Sequence, residues 1–61
     1  MEIKLALKGN REHRIITGDR IDVLELELEG VPYTQIRVFK KGFSKSEYIR
    51  TDLIQFIKKI K

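Results

Sequence analysis

Ser44-Lys45-Ser46-Glu47-Tyr48-Ile49-Arg50-Thr51-Asp52-Leu53-Ile54-Gln55-Phe56-Ile57-Lys58-Lys59-Ile60-Lys61 decides the fold class of this chain, because its pattern fits two structures. Ser44 with Glu47 three residues later is the spacing of a helix capping box, with Phe43 and Tyr48 placed as a hydrophobic staple. Ile49, Leu53, Phe56, Ile57 and Ile60 then fall on one stripe of a helix. Lys58, Lys59 and Lys61 stand where the helix dipole favours cations. This reading predicts a helix from Lys45 to about Ile60. The alternative makes Ser46 to Thr51 a strand, since Tyr48, Ile49 and Thr51 suit one, with Thr51 capping a shorter helix.

Upstream of that stretch the chain alternates. Ile3, Leu5 and Leu7 share one phase against Glu2, Lys4, Ala6 and Lys8, the period of a half-buried strand. Gly9-Asn10 is a tight-turn signal, Glu12 to Thr17 is rich in β-branched residues, and Gly18-Asp19 repeats the turn signal. These turns predict three strands in a meander. The third, Arg20 to Glu29, changes phase: Ile21 and Val23 share one face, and Leu24, Leu26 and Leu28 the other. A β-bulge near Val23-Leu24 would bring both sets to the core. Without it, the sheet carries apolar side chains on both faces, one of them covered by a second subunit. The bulge is the expectation. Pro32 marks Glu29 to Pro32 as a loop, and a fourth strand follows from about Tyr33 to Lys40.

The expected fold is therefore α+β: a four-stranded antiparallel meander packed by one C-terminal helix, β-β-β-β-α. If the fifth strand exists, the sheet rolls into a small barrel. Residues 1–61 make a single domain. A chain this short buries only about 60% of the surface it exposes when unfolded, so its core is marginal. With no cysteine, neither a disulfide nor a thiolate metal site can support it.

Chemistry is sparse. His13 is the only histidine, and no nucleophile–base spacing is present, so no enzyme, cofactor or metal site is expected. Glu25, Glu27 and Glu29 form a row on the third strand. Hard cations need converging oxygens, so this row is expected to be a solvated face paired with Lys4, Lys8 or Arg37. No apolar run is long enough for a signal peptide or a membrane span, and a cytoplasmic location is expected.

Charge points to a partner. Residues 1–30 carry five basic and seven acidic groups, whereas residues 31–61 carry eight basic and two acidic ones. The positive character therefore belongs to the C-terminal half. Arg37, Lys40, Lys41 and Lys45 surround Gly42-Phe43-Ser44, where a helix N-terminus could hold an anion if Ser44 and Glu47 left its N–H groups free. Tyr33, Arg37 and Phe39 share a strand face, an aromatic–basic set of the kind that stacks bases beside cations. The expected site is thus Tyr33, Arg37, Phe39, Lys40, Lys41 and Lys45, and the expected partner is DNA or RNA. The alternative is a protein-interaction or assembly module, acting as a homodimer or accessory subunit.

Short stretches resemble small nucleic-acid-binding families. Lys40-Lys41-Gly42-Phe43-Ser44 resembles the helix entry of single-strand-binding transcriptional coactivators. Thr17-Gly18-Asp19-Arg20-Ile21 resembles the hairpin of the carbon storage regulators, and the small basic frame resembles the seven-kilodalton archaeal chromatin proteins. Each resemblance covers a handful of residues and identifies no family.

Overall fold

A computed structural model describes residues 1–61. The chain is all-β: β1 (Glu2–Leu7), β2 (Arg14–Thr17), β3 (Arg20–Leu28), β4 (Val31–Lys40), β5 (Phe43–Arg50), a 3-10 turn (Thr51–Leu53) and β6 (Ile54–Lys59). The strands form two antiparallel sheets of three, ordered β2-β1-β6 and β3-β4-β5. Antiparallel pairing is as expected; the C-terminal helix and the single four-stranded meander are not.

The helix fails for a tertiary reason. β6 completes the first sheet by pairing with β1, from Ile3↔Lys59 to Leu7↔Ile54, and that ladder satisfies the backbone a helix would have satisfied internally. β-Branched and aromatic residues favour the extended state over the same stretch. Ser44 and Glu47, an odd number of residues apart on β5, point to opposite faces instead of closing a capping box. The Glu47 carboxylate meets Arg14 instead. Residues 46–50 lie in β5, as the alternative reading had it, but the helix after Thr51 is replaced by the 3-10 turn and β6. No helix of the chain is long and apolar enough to cross a membrane.

Turn chemistry explains the second sheet. Glu29-Gly30 (φ 51° and 78°) and Lys41-Gly42 (φ 25° and 86°) are both left-handed. They close two-residue hairpins at Leu28↔Val31 and Lys40↔Phe43, where consecutive positive φ values match the twist of the strands. Pro32 lies within β4, yet β5 pairs only as far as Tyr33↔Arg50, so the missing N–H falls past the end of that ladder. Gly18-Asp19, by contrast, is not a hairpin: β2 and β3 belong to different sheets. Gly18 is needed for space, since a Cβ there would lie 2.5 Å from Val38 Cγ1 and 3.2 Å from the Phe39 carbonyl oxygen.

The core lies between the sheets. Ile3 and Leu5 from β1 meet Ile21 from β3 and Ile36 from β4, with Leu7, Ile16, Val38, Ile49, Ile54 and Ile57 packed around them. Thr34 is buried beside this cluster, and its hydroxyl is 2.9 Å from that of Thr51, which ties β4 to the 3-10 turn. The β3–β4 register runs unbroken from Arg20↔Phe39 to Leu28↔Val31, so the expected bulge at Val23-Leu24 is absent. Leu24, Leu26 and Leu28 consequently face away from the core.

The fold leaves that side open. The exposed area of 4683 Å² exceeds the roughly 4,100 Å² expected for a monomer of this mass. Extents of 34 × 28 × 13 Å fit two thin layers, with one face of β3-β4-β5 turned to solvent.

Candidate nucleic-acid interface

Strand register determines which side chains share the outer face of β3-β4-β5. Opposed residues of an antiparallel pair project to the same side. Since Ile21, Ile36 and Thr34 point to the core, the opposite phase forms the outer face, in four cross-strand rows. The rows are Leu26–Tyr33–Arg50, Leu24–Gln35–Tyr48, Asp22–Arg37–Ser46 and Arg20–Phe39–Ser44. Gln35 is buried in the middle of this face, and its amide donates to the Ser46 hydroxyl at 3.3 Å. Tyr48 beside it is 53% exposed.

None of the five aromatic rings is buried. A marginal domain is expected to use its largest apolar side chains in its core, since each ring covers some 150–250 Å². Here the core is wholly aliphatic. Tyr33, Phe39 and Tyr48 stand on the outer face; Phe43 is exposed beside the Lys41-Gly42 turn, and Phe56 packs edge-on against exposed His13 at 5.3 Å.

Three arginines share the outer face with those rings. Arg20 lies 5.4 Å from the centre of the Phe39 ring and donates to Asp22 at 3.1 Å. Arg50 pairs with Asp52 at 3.0 Å. Arg37, opposite Asp22 in the register, has no carboxylate within 4 Å and is the free cation of the face. A guanidinium both stacks on ring faces and binds phosphate through a planar fork, so this is a suitable cation beside aromatic side chains.

Of the expected site residues, the structure brings Tyr33, Arg37 and Phe39 together and separates the lysines. Lys45 and Lys40 follow the inner phase and line a cleft of about 420 Å³ between β2 and β4-β5. Lys41 sits in the hairpin turn, where its N–H donates to Asp19 Oδ2 at 2.9 Å. The anion site expected at a helix N-terminus falls with the helix: Gly42 belongs to a turn, and Phe43 and Ser44 begin a strand. Sequence reasoning missed Tyr48, Arg50 and Arg20. For the first two the signal was the alternation Ser44, Ser46, Tyr48, Arg50, which a helical reading hides.

The acidic row is also placed differently. Glu25 and Glu27 follow the inner phase beyond Val23, where the other sheet no longer covers β3, and both are exposed. Neither forms an ion pair, so the expected bridges to Lys4, Lys8 or Arg37 are absent. No cluster of three or more potential metal-ligating side chains occurs.

Arg14 and Glu47 clamp the two sheets across the cleft, with paired contacts of 2.6 and 2.8 Å. The hydrogen bonds from Arg14 hold the Glu47 carboxyl below the usual carboxylate range. Partial burial opposes that shift, while the charges of Arg14 and Lys45 add to it. The same pairing raises Arg14. Because the folded value of Glu47 lies below its unfolded value, its contribution is present at neutral pH and lost as pH falls through the folded value. Glu47→Gln is expected to lower stability at pH 7 by about 1 kcal/mol or less, the range for half-exposed pairs. The gap from the wild type should be smaller at pH 3, below the ordinary carboxylate range, than at pH 7. Urea midpoints at both pH values check this; an equal gap at both contradicts it.

Comparison with protein-family models, curated proteins and solved structures finds no match to this chain.

Proposed function

We propose that this protein is a non-enzymatic nucleic-acid-binding module whose working surface is the outer face of β3-β4-β5. One observation carries the reading: every aromatic ring is kept out of the core, and three of them share one open sheet face with three arginines. Base–aromatic stacking and guanidinium–phosphate contact are the interactions such a face can make. Lys41, in the turn at the end of the face where Phe39 lies, and Lys40, on the reverse side of the same strand end, add long-range attraction for phosphate and steer association.

The test is binding of labelled DNA and RNA by fluorescence anisotropy at low and rising salt. Arg37→Ala is expected to weaken binding by about ten-fold, the effect of losing one charge-assisted hydrogen bond. Lys40→Ala/Lys41→Ala should act less at any one salt concentration and flatten the salt dependence. Absence of binding at low salt would contradict the reading.

A second reading draws on the other end of the same face. Leu24 and Leu28 are 46% and 48% exposed, with Leu26 between them on β3 and Val31 opposite Leu28. Apolar side chains gathered in this way also suit a protein seam. On that reading Leu24→Lys would dissociate a dimer, which sedimentation detects.

A further inference from the structure

We infer that the outer face takes an extended single strand of nucleic acid lying along β4, with bases on Tyr33, Tyr48 and Phe39 and phosphate on Arg37. The inference rests on the nucleic-acid reading above and specifies the form of the ligand. Three features of the face select a single strand over a duplex.

The first is spacing. Rows on one face of a strand are roughly 7 Å apart, two residues of β rise. That is about twice the 3.4 Å base step of a duplex. Tyr33 and Tyr48 are diagonal neighbours across β4 and β5, about 7–8 Å apart. Rings at this pitch can each take a base only if those bases are unstacked from one another. A duplex keeps its base faces closed and gives such rings nothing to stack on.

The second is charge. The outer face holds Arg20, Arg37 and Arg50, but Arg20 is paired with Asp22 and Arg50 with Asp52. One free guanidinium is too little for a surface that holds a duplex by its phosphates alone. The attraction must come largely from stacking, and stacking is available only in a single strand.

The third is order. Along β4 the rows run ring with arginine, ring beside an anchored amide, arginine with a hydroxyl and the Asp22 carboxylate that Arg20 holds, then ring with arginine. The gap between Tyr48 and Phe39 is filled by Arg37 and Ser46, which can hold a backbone phosphate between two stacked bases. Gln35 and Ser46 are already joined to each other, so the centre of the face is fixed before a strand arrives. Four rows give a footprint of about four nucleotides, the low end for a small β domain.

The experiment measures anisotropy with oligo-dT and oligo-U of about 12 nucleotides, and with a DNA duplex and an RNA duplex of the same length, inside the size range such domains cover. Both single strands are expected to bind at least ten-fold more tightly than either duplex. The slope of log affinity on log salt should be about −3.5 or shallower, the limit for Arg20, Arg37, Arg50, Lys40 and Lys41 at about −0.7 each. Tyr48→Ala should weaken single-strand binding at least five-fold, while Tyr48→Phe, which keeps the ring, retains it. A large difference between oligo-dT and oligo-U identifies which sugar the face accepts, and tight binding of either supports the inference. Duplexes bound as tightly as single strands, or single-strand binding unchanged by Tyr48→Ala, would overturn this inference and leave the nucleic-acid reading standing. No binding of any of the four probes, with a dimer that Leu24→Lys dissociates, would overturn both and assign the face to a protein seam.

Discussion

Leu5→Ala is expected to remove a large share of the stability of the fold at 25 °C. Leu5 is completely buried on β1, the central strand of its sheet, opposite Arg14 on β2 and Ile57 on β6. It belongs to a core cluster of only four buried residues, drawn from both sheets. Removing a buried leucine side chain costs about 2–5 kcal/mol, because the cavity left behind closes only in part. A chain of this length has a total stability of roughly 3–9 kcal/mol, so the loss is a large share of the whole. Ile15→Ala is the control: Ile15 is 51% exposed on the edge strand β2, and its truncation should cost less than about 1 kcal/mol. Urea unfolding followed by circular dichroism measures both. Equal losses in the two variants would contradict this placement of the core.

The double variant Tyr33→Ala/Tyr48→Ala is expected to lose nearly all binding while remaining folded. Each stacked base contributes about 1–3 kcal/mol, so two rings together represent at least about a 30-fold loss of affinity. Neither ring belongs to the core cluster, and Tyr48 is 53% exposed, so the fold has little to lose by their truncation. The pair Tyr33→Phe/Tyr48→Phe retains both rings and should retain binding. Affinity and thermal unfolding measured on the same samples separate the two effects. A loss of affinity that tracks a loss of stability would argue for a structural role instead.

How much of this was legible in the sequence depends on how far each element's partner lies along the chain. β1 was readable, because Ile3, Leu5 and Leu7 alternate cleanly and all face the core or its margin. The aromatic–basic face of β4 was readable for the same reason, since Tyr33, Arg37 and Phe39 keep one phase through a regular strand. The C-terminal third was not. Ile49, Leu53, Phe56, Ile57 and Ile60 repeat with helical spacing, yet that spacing arises from two strands joined by a 3-10 turn. The register shift between Ala6 and Leu7 adds to it, because Ala6 faces Phe56 and Leu7 faces Ile54. Periodicity cannot distinguish a continuous helix from two offset strands when the offset mimics its repeat. Composition pointed the other way, with β-branched and aromatic residues throughout.

The phase break in β3 was equally ambiguous locally. A bulge and a two-faced apolar sheet both account for Val23-Leu24, and only the unbroken nine-residue ladder with β4 decides between them. That decision matters for function. Had the bulge formed, Leu24, Leu26 and Leu28 would lie in the core and the outer face would be narrower and more polar. Misreading β5 hid half of the surface: as helix residues, Tyr48 and Arg50 had no relation to Tyr33 and Gln35, whereas as strand residues they stand directly beside them. Lys45 does not share this face for the same reason, since strand parity sends it to the other side of the sheet from Arg37.

The most direct test is nuclear magnetic resonance mapping on ¹⁵N-labelled protein titrated with an unstructured single strand. Amide shifts are predicted to concentrate on Tyr33, Gln35, Arg37, Phe39, Ser46, Tyr48 and Arg50, with Lys4, Ile15 and Lys58 on the opposite sheet unaffected. Shifts centred on Lys4 and Lys58, or on the cleft between β2 and β5, would contradict the assignment of the outer face as the binding surface.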